Sequence, residues 1–142
     1  MAEHTVEVHR HVAAPPKEVF GFLTDPARYG RWMGRAASLD ARPGGVYRVE
    51  FSEDTVALGE YVEVAPPARL VFTFGWIGNA DVPPGSTTVE IALEPDGTGT
   101  LLRLTHRGLP SDQVMALHRE GWEMYLGRLV ILATGHPLPP VD

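Results

Sequence analysis

The sequence contains no cysteine, which excludes disulfides, thiolate metal sites and a cysteine nucleophile. It has no apolar run approaching the ~20 residues of a membrane-spanning helix. The charged, alternating first residues are unlike a signal peptide. Basic residues are the minority, with 12 Lys and Arg against 18 Asp and Glu, and the net charge of −6 argues against nucleic acid as a partner. We therefore expect a cytoplasmic protein with no nucleic-acid partner and no membrane span.

Sequence motifs for common catalytic chemistry are also missing. No serine stands in a Gly-x-Ser-x-Gly elbow, and the glycine-rich segments lack the lysine and the strand-to-helix context of phosphate loops. His9 and His11 share one strand face, but two imidazoles without a third ligand at fixed spacing are more typical of an exposed polar face than of a metal site. The sequence therefore predicts no metal and no cofactor, assigns no catalytic residue, and favours a non-enzymatic role.

What the chain does contain is regular patterning punctuated by 13 prolines and 15 glycines. Its 142 residues fit a single domain, 1–142. Period-2 alternation predicts strands and period-3.6 patterning predicts helices. The predicted order is β-α-α-β-β-β-β-β-α, with strands at 5–12, 46–51, 55–64, 69–76, 87–93 and 100–107, short helices at 17–23 and 27–32, and a long helix at 111–134.

The long final helix is amphipathic, and both it and the antiparallel sheet must bury an apolar face. We therefore predict an α+β fold in which this helix lies across the concave face of a curved sheet. A sheet curled round a single helix tends to leave a pocket between the two, and that pocket is the main functional indication. The tail from residue 135 to 142 carries three prolines and is predicted not to continue the helix.

Several sequence segments, taken in order, resemble one family. They are RHVAAPPKEVF (10–20), the stretch 23–33 with Thr-Asp-Pro and Trp-Met, PGGVY (43–47), GEYVEVAPPARL (59–70), GTLLRLTH (99–106) and Gly-Trp (121–122). Together they resemble bacterial proteins similar to the C-terminal domain of the activator of Hsp90 ATPase, within the START/Bet v 1-like (SRPBCC) superfamily. The resemblance implies a helix-grip fold with a cavity, and it makes a homodimer plausible. It does not transfer an activity.

Candidate ligand-binding residues are the aromatic side chains expected around the cavity, together with two histidines. An inward histidine could act as a general acid or base, or donate a hydrogen bond to a ligand, and the competing interpretation is that it is tied to backbone. The aromatic residues, likewise, could simply pack the core. The predicted set is Trp32, Tyr47, Phe51, Phe72, Phe74, Trp76, His106, His118, Trp122 and Tyr125, with His118 placed opposite His106 across the pocket mouth.

Three functions compete at this stage. The first is binding or carriage of a small hydrophobic, lipid-like or aromatic molecule. The second is a cyclase- or hydratase-type enzyme that uses His106 or a cavity arginine. Arg48, if it points inward, could pair with an anionic ligand. The third is an Hsp90-type co-chaperone or interaction module with a role in the stress response. We rank this third function last, because the chain begins at its first strand, without the N-terminal domain of the eukaryotic activator.

Overall fold

The computed structural model describes residues 4–135, which form a seven-stranded antiparallel sheet and three helices. The strand order across the sheet is β1-β7-β6-β5-β4-β3-β2. Along the chain the elements are β1 (Val6–Val12), α1 (Pro16–Thr24), α2 (Pro26–Trp32), β2 (Ala36–Leu39), β3 (Val46–Glu50), β4 (Val56–Ala65), β5 (Arg69–Phe74), β6 (Thr87–Asp96), β7 (Gly99–Arg107) and α3 (Asp112–Ala133).

Helix α3 supplies one side of the core and the sheet supplies the other. Its buried residues, Trp122, Leu126, Leu129 and Leu132, recur at helical spacing and form one apolar stripe. They join the inward residues of every second position in β5, β6 and β7 in one hydrophobic cluster. The predicted α+β helix-grip fold is confirmed.

The helix starts follow from local capping. Asp25 accepts a hydrogen bond at 3.0 Å from the backbone N–H of Ala27, and Pro26 occupies the first position of α2. Ser111 does the same for α3, accepting from the backbone N–H of Val114 at 3.2 Å. These caps satisfy backbone donors that have no partner inside the helix.

The structure contains one strand that the sequence patterning did not predict. Strand β2 (Ala36–Leu39) pairs antiparallel with β3 and forms an edge of the sheet. Its four residues, Ala-Ala-Ser-Leu, are exposed or half-buried, so they carry almost no apolar alternation. Pairing with β3, rather than its own composition, makes this segment a strand.

Other predicted boundaries move by a few residues. Strand β6 continues to Asp96, which leaves a two-residue turn, Gly97-Thr98, before β7. Helix α3 is one residue shorter at each end than predicted. The predicted non-helical tail lies, beyond Gly135, outside the described residues. Within residues 4–135, no helix is both long enough and apolar enough to cross a membrane.

Gly59 lies where β4 approaches the end of β5 closely. A Cβ at this position would collide with the carbonyl oxygen of Thr73. The pairing register of the same two strands shifts between Tyr61 and Glu63. A close approach and a register shift of this kind bend a strand locally.

A matched pair of leucines on α3 tests which side of the helix holds the fold together. Leu126 is fully buried, whereas Leu117 is 64% exposed. Leu126→Ala should lower the free energy of unfolding by about 2–5 kcal/mol, because it leaves a cavity in the core. Leu117→Ala should change it by no more than about 0.5 kcal/mol. Urea denaturation measures both, and similar values for the two variants would contradict the packing described.

Candidate functional site

A pocket of about 580 Å³ opens between the first half of α3 and two loops of the sheet. One loop follows β3 and leads into β4, and the other follows β5. Fifteen of the described residues line it: Met33, Phe51, Asp54, Thr55, Val56, Phe74, Trp76, Ile77, Gly78, Asn79, Leu117, His118, Gly121, Trp122 and Tyr125. This volume lies in the range typical of small-molecule sites.

The pocket has a buried floor and an exposed rim. Met33, Phe74 and Trp122 are almost fully buried and form the floor. Ile77 and Leu117 are large apolar side chains that remain 48% and 64% exposed at the rim. Apolar groups exposed at the mouth of an apolar pocket are typical of a ligand-binding cleft.

Aromatic rings form the wall nearest the β3–β4 turn. Phe51 has its ring centroid 5.3 Å from that of Trp76 and 5.6 Å from that of Tyr125. Phe74 lies 5.2 Å from Trp76 in an edge-to-face arrangement. Such contacts fix the rings in place and present a rigid surface.

Two tryptophan–histidine hydrogen bonds join α3 to the sheet. The indole N–H of Trp122, on α3, donates to Nδ1 of His106, on β7, at 3.0 Å. In the opposite sense, the indole N–H of Trp76, after β5, donates to Nε2 of His118, on α3, at 3.0 Å. The two imidazole centroids are 5.3 Å apart.

These bonds determine which nitrogen of each histidine carries the proton. Since Nδ1 of His106 accepts, its Nε2–H faces the hydroxyl of Thr87 at 2.8 Å, and that hydroxyl donates to the carbonyl of Phe74 at 2.6 Å. Since Nε2 of His118 accepts, its Nδ1–H donates to the carbonyl of Val114 at 2.8 Å. Both histidines are therefore neutral, with every ring nitrogen bonded.

Burial dominates the electrostatics of His106. Its side chain is fully buried, and desolvation lowers its pKa to about 3, with a smaller contribution from His118. Burial also raises the pKa of the Tyr125 hydroxyl, which Arg128 partly offsets. The lining therefore presents neutral side chains, except at Asp54.

Six of the ten predicted site residues line the pocket: Phe51, Phe74, Trp76, His118, Trp122 and Tyr125. The other four do not. Trp32 is buried and donates to the carbonyl of Phe22 at 2.9 Å, and Phe72 stacks on Tyr47 at 4.1 Å. The hydroxyl of Tyr47 bonds that of Tyr29 at 2.6 Å. His106 adjoins His118 as predicted but lies beneath the floor rather than at the mouth. These four residues pack the core because their strand or helix faces point to its centre.

Sequence reasoning missed nine of the lining residues, and seven of them are of two kinds; the other two are Met33 and Val56. Leu117 and Gly121 lie one helical turn apart, on the stripe that already held His118, Trp122 and Tyr125, so extending that stripe would have found them. Asp54, Thr55 and the loop residues after Trp76 carry no such periodic signal. Their position depends on how the loops fold back over the sheet.

The remaining chemical candidates have structural roles. His11 faces Asp96 at 3.0 Å, at the hairpin between β6 and β7. Arg48 pairs with Glu50 at 3.1 Å on the outer face of β3, away from the pocket. Within residues 4–135, no group of three or more potential ligands could hold a metal ion.

The buried neutral state of His106 makes stability depend on pH in a defined window. The unfolded chain binds a proton at this residue near pH ~6.5, but the folded chain only near pH 3, so stability falls as the pH drops between these values. As the pH falls from about 7 to about 5, His106 should lower the free energy of unfolding by about 2 kcal/mol.

Urea denaturation of the wild type and of His106→Gln at both pH values measures this contribution. On acidification, the free energy of unfolding of the variant should fall less than that of the wild type. At neutral pH the variant should be the less stable of the two. Parallel pH curves for the two proteins would refute the assignment. A second measurement tests the low pKa of His106 directly. In the folded wild type, the imidazole NMR signals of His106 should show no titration down to about pH 5.

Comparisons with known proteins agree with this architecture. A family profile described as Activator of Hsp90 ATPase homolog 1-like protein matches residues 13–134. No curated protein matches the chain. An AHSA1-like protein from Rhizobium etli, solved by NMR, is 49% identical, with 96% of this chain and 85% of that one covered and a TM-score of 0.77.

Two further solved structures are similar over most of the chain. The crystal structure of CalU16 from Micromonospora echinospora is 30% identical, covers 92% of this chain and 76% of its own, and has a TM-score of 0.75. DynU16 is 30% identical with a TM-score of 0.81; the match covers 95% of this chain but 49% of DynU16, so this chain spans about half its length. The profile match and these likenesses show that the chain belongs to the family of Activator of Hsp90 ATPase homolog 1-like proteins.

Proposed function

We propose that the protein binds a small, largely apolar and flat molecule in the pocket between α3 and the β3–β4 and post-β5 loops. The observation that carries this proposal is the pocket itself, with aromatic walls, a buried floor and apolar side chains exposed at its rim. A core without a ligand role would be expected to fill such a volume with side chains.

Gly121 supports the proposal independently of the aromatic residues. It lies in the interior of α3, where glycine costs about 1 kcal/mol of helix stability relative to alanine. A Cβ at this position would meet nothing within 4 Å, so packing against neighbours does not require glycine here. Gly121 lines the pocket, and its missing side chain leaves space there.

The likenesses give this proposal context. DynU16 is described as a protein of the dynemicin biosynthetic locus, which is consistent with a family member whose ligand is a small organic molecule. A solved structure at 19% identity, the Aha1 protein of Colwellia psychrerythraea, is described as a dimer. A homodimer stays a prediction for this chain.

The enzymatic interpretation has less support than binding. It assigned its chemistry to His106, whose two ring nitrogens are both hydrogen-bonded and which lies outside the pocket lining. The other candidate, Arg48, pairs with Glu50 on the outer face of the sheet. An Hsp90-type partner has no feature of the pocket in its favour.

Filling the pocket at Gly121 tests the proposed function. Gly121→Leu places an isobutyl group in the pocket and should weaken binding of the neutral apolar dye Nile red by about tenfold or more, because that volume is no longer open to the ligand. Fluorescence titration measures the affinity. Equal dye affinity in Gly121→Leu and the wild type would refute binding at this site.

Gly127→Leu is the matched control. Gly127 is also an interior glycine of α3 with open space around its Cβ position, but it does not line the pocket. Both substitutions should leave the free energy of unfolding equal to or above that of the wild type, because leucine favours helix over glycine. Only Gly121→Leu should bind the dye more weakly than the wild type. Weaker dye binding in both variants would indicate a general effect on the helix.

A further inference from the structure

We propose that the pocket selects its ligand by charge: it takes an apolar molecule whose polar end is a cationic amine, and it rejects one whose polar end is a carboxylate or another anion. This inference rests on the proposed function and adds the chemical class of the ligand.

Among residues 4–135, Asp54 provides the one formal charge in the pocket lining. Neither Lys nor Arg is among the fifteen lining residues. Asp54 lies in the exposed turn between β3 and β4, and its carboxylate makes no ion pair with any residue between 4 and 135. An ammonium group entering at the rim would meet this unpaired carboxylate, whereas an anion would meet repulsion.

Three N–H donors in the pocket lining are already engaged within the protein. The indole N–H groups of Trp76 and Trp122 donate to histidines, and the one N–H of His118 donates to the carbonyl of Val114. The side-chain oxygen of Asn79 accepts from the backbone N–H groups of residues 81 and 82, which holds that side chain in its own loop. Moving a carboxylate from water into the apolar part of the pocket costs free energy, and these three donors are not available to offset that cost.

Aromatic rings in the same pocket lining as Asp54 are suited to a cation. The rings of Phe51, Trp76 and Tyr125 all line the pocket, and the ring centroid of Phe51 lies 5.3 Å from that of Trp76 and 5.6 Å from that of Tyr125. Ring faces attract ammonium groups by about 0.5–1 kcal/mol at exposed sites and by more when desolvated. Rings and carboxylate together form an amine-binding arrangement.

Arg128 is the cation that could oppose this selection. Its positive charge partly offsets the rise in the pKa of the Tyr125 hydroxyl that burial causes. Its Nε, however, donates to the carbonyl of Trp32 at 3.2 Å, and Arg128 is not among the described lining residues. The test therefore includes a variant of this residue.

Three probes that share a naphthyl body separate charge from shape: 1-naphthylmethylamine, which is protonated at neutral pH, 1-naphthylmethanol and 1-naphthylacetate. Isothermal titration at low ionic strength, where surface charge is least screened, gives each affinity. We expect the amine to bind about three- to tenfold more tightly than the alcohol, and the acetate at least about tenfold more weakly than the alcohol.

Asp54→Asn and Glu53→Gln form the matched pair of variants. Each removes one negative charge from the same turn, but Glu53 does not line the pocket. Asp54→Asn should weaken amine binding about three- to fivefold and leave the alcohol unchanged, because an exposed charge pair is worth about 0.2–1 kcal/mol. Glu53→Gln should leave both affinities unchanged within about twofold.

The outcomes separate this inference from the proposed function. If the alcohol binds the wild type and not Gly121→Leu, but the acetate binds as tightly as the alcohol or Asp54→Asn leaves amine binding unchanged, charge selection is refuted and the pocket stands. Acetate binding that Arg128→Gln abolishes would likewise overturn it. If none of the three probes binds, both proposals fail.

Discussion

The two reciprocal tryptophan–histidine hydrogen bonds between α3 and the sheet are the constraint on which the site depends. In one, the helix supplies the donor, Trp122, and the sheet supplies the acceptor, His106; in the other, Trp76 donates from the sheet side to His118 on the helix. Because each bond requires one particular unprotonated acceptor nitrogen within reach of an indole N–H, the pair restricts the position of α3 along the sheet as well as its distance from it. A purely apolar contact would allow more sliding.

The same two hydrogen bonds separate an open space from a filled one. The space between α3 and the sheet is open towards the start of the helix and filled by side chains towards its end. Below Trp122 the helix buries Leu126, Leu129 and Leu132 against the sheet, and the core there is filled. Above it, the helix presents Gly121 and an exposed Leu117 towards two loops, and the volume is left open. The hydrogen bonds lie at the boundary, so the packed part of the molecule holds the open part rigid, which lowers the cost of ordering a ligand site.

Much of the fold could be predicted from sequence because periodicity and capping are local. The alternation in β5 and β7, the Asp25 cap and the long stripe of α3 each appear in a window of a few residues. Strand β2 was missed for the complementary reason: its Ala-Ala-Ser-Leu segment has no pattern of its own and is a strand only because β3 offers it a partner. Part of the site could also be predicted, since aromatic residues at element ends were expected around a cavity.

Residue types and their faces were determined by the sequence alone: an acidic chain without cysteine, an antiparallel sheet, one long helix, and inward aromatic rings between them. Tertiary structure decided which of those rings line the pocket and which are packed in the core. Tyr47 and Phe72 share inward faces with Phe51 and Phe74, yet the first two are packed in the core while the latter two reach the pocket. That distinction depends on where α3 and the loops around Asp54 and Ile77 come to rest, and those distances join residues far apart in the chain, which no local pattern encodes.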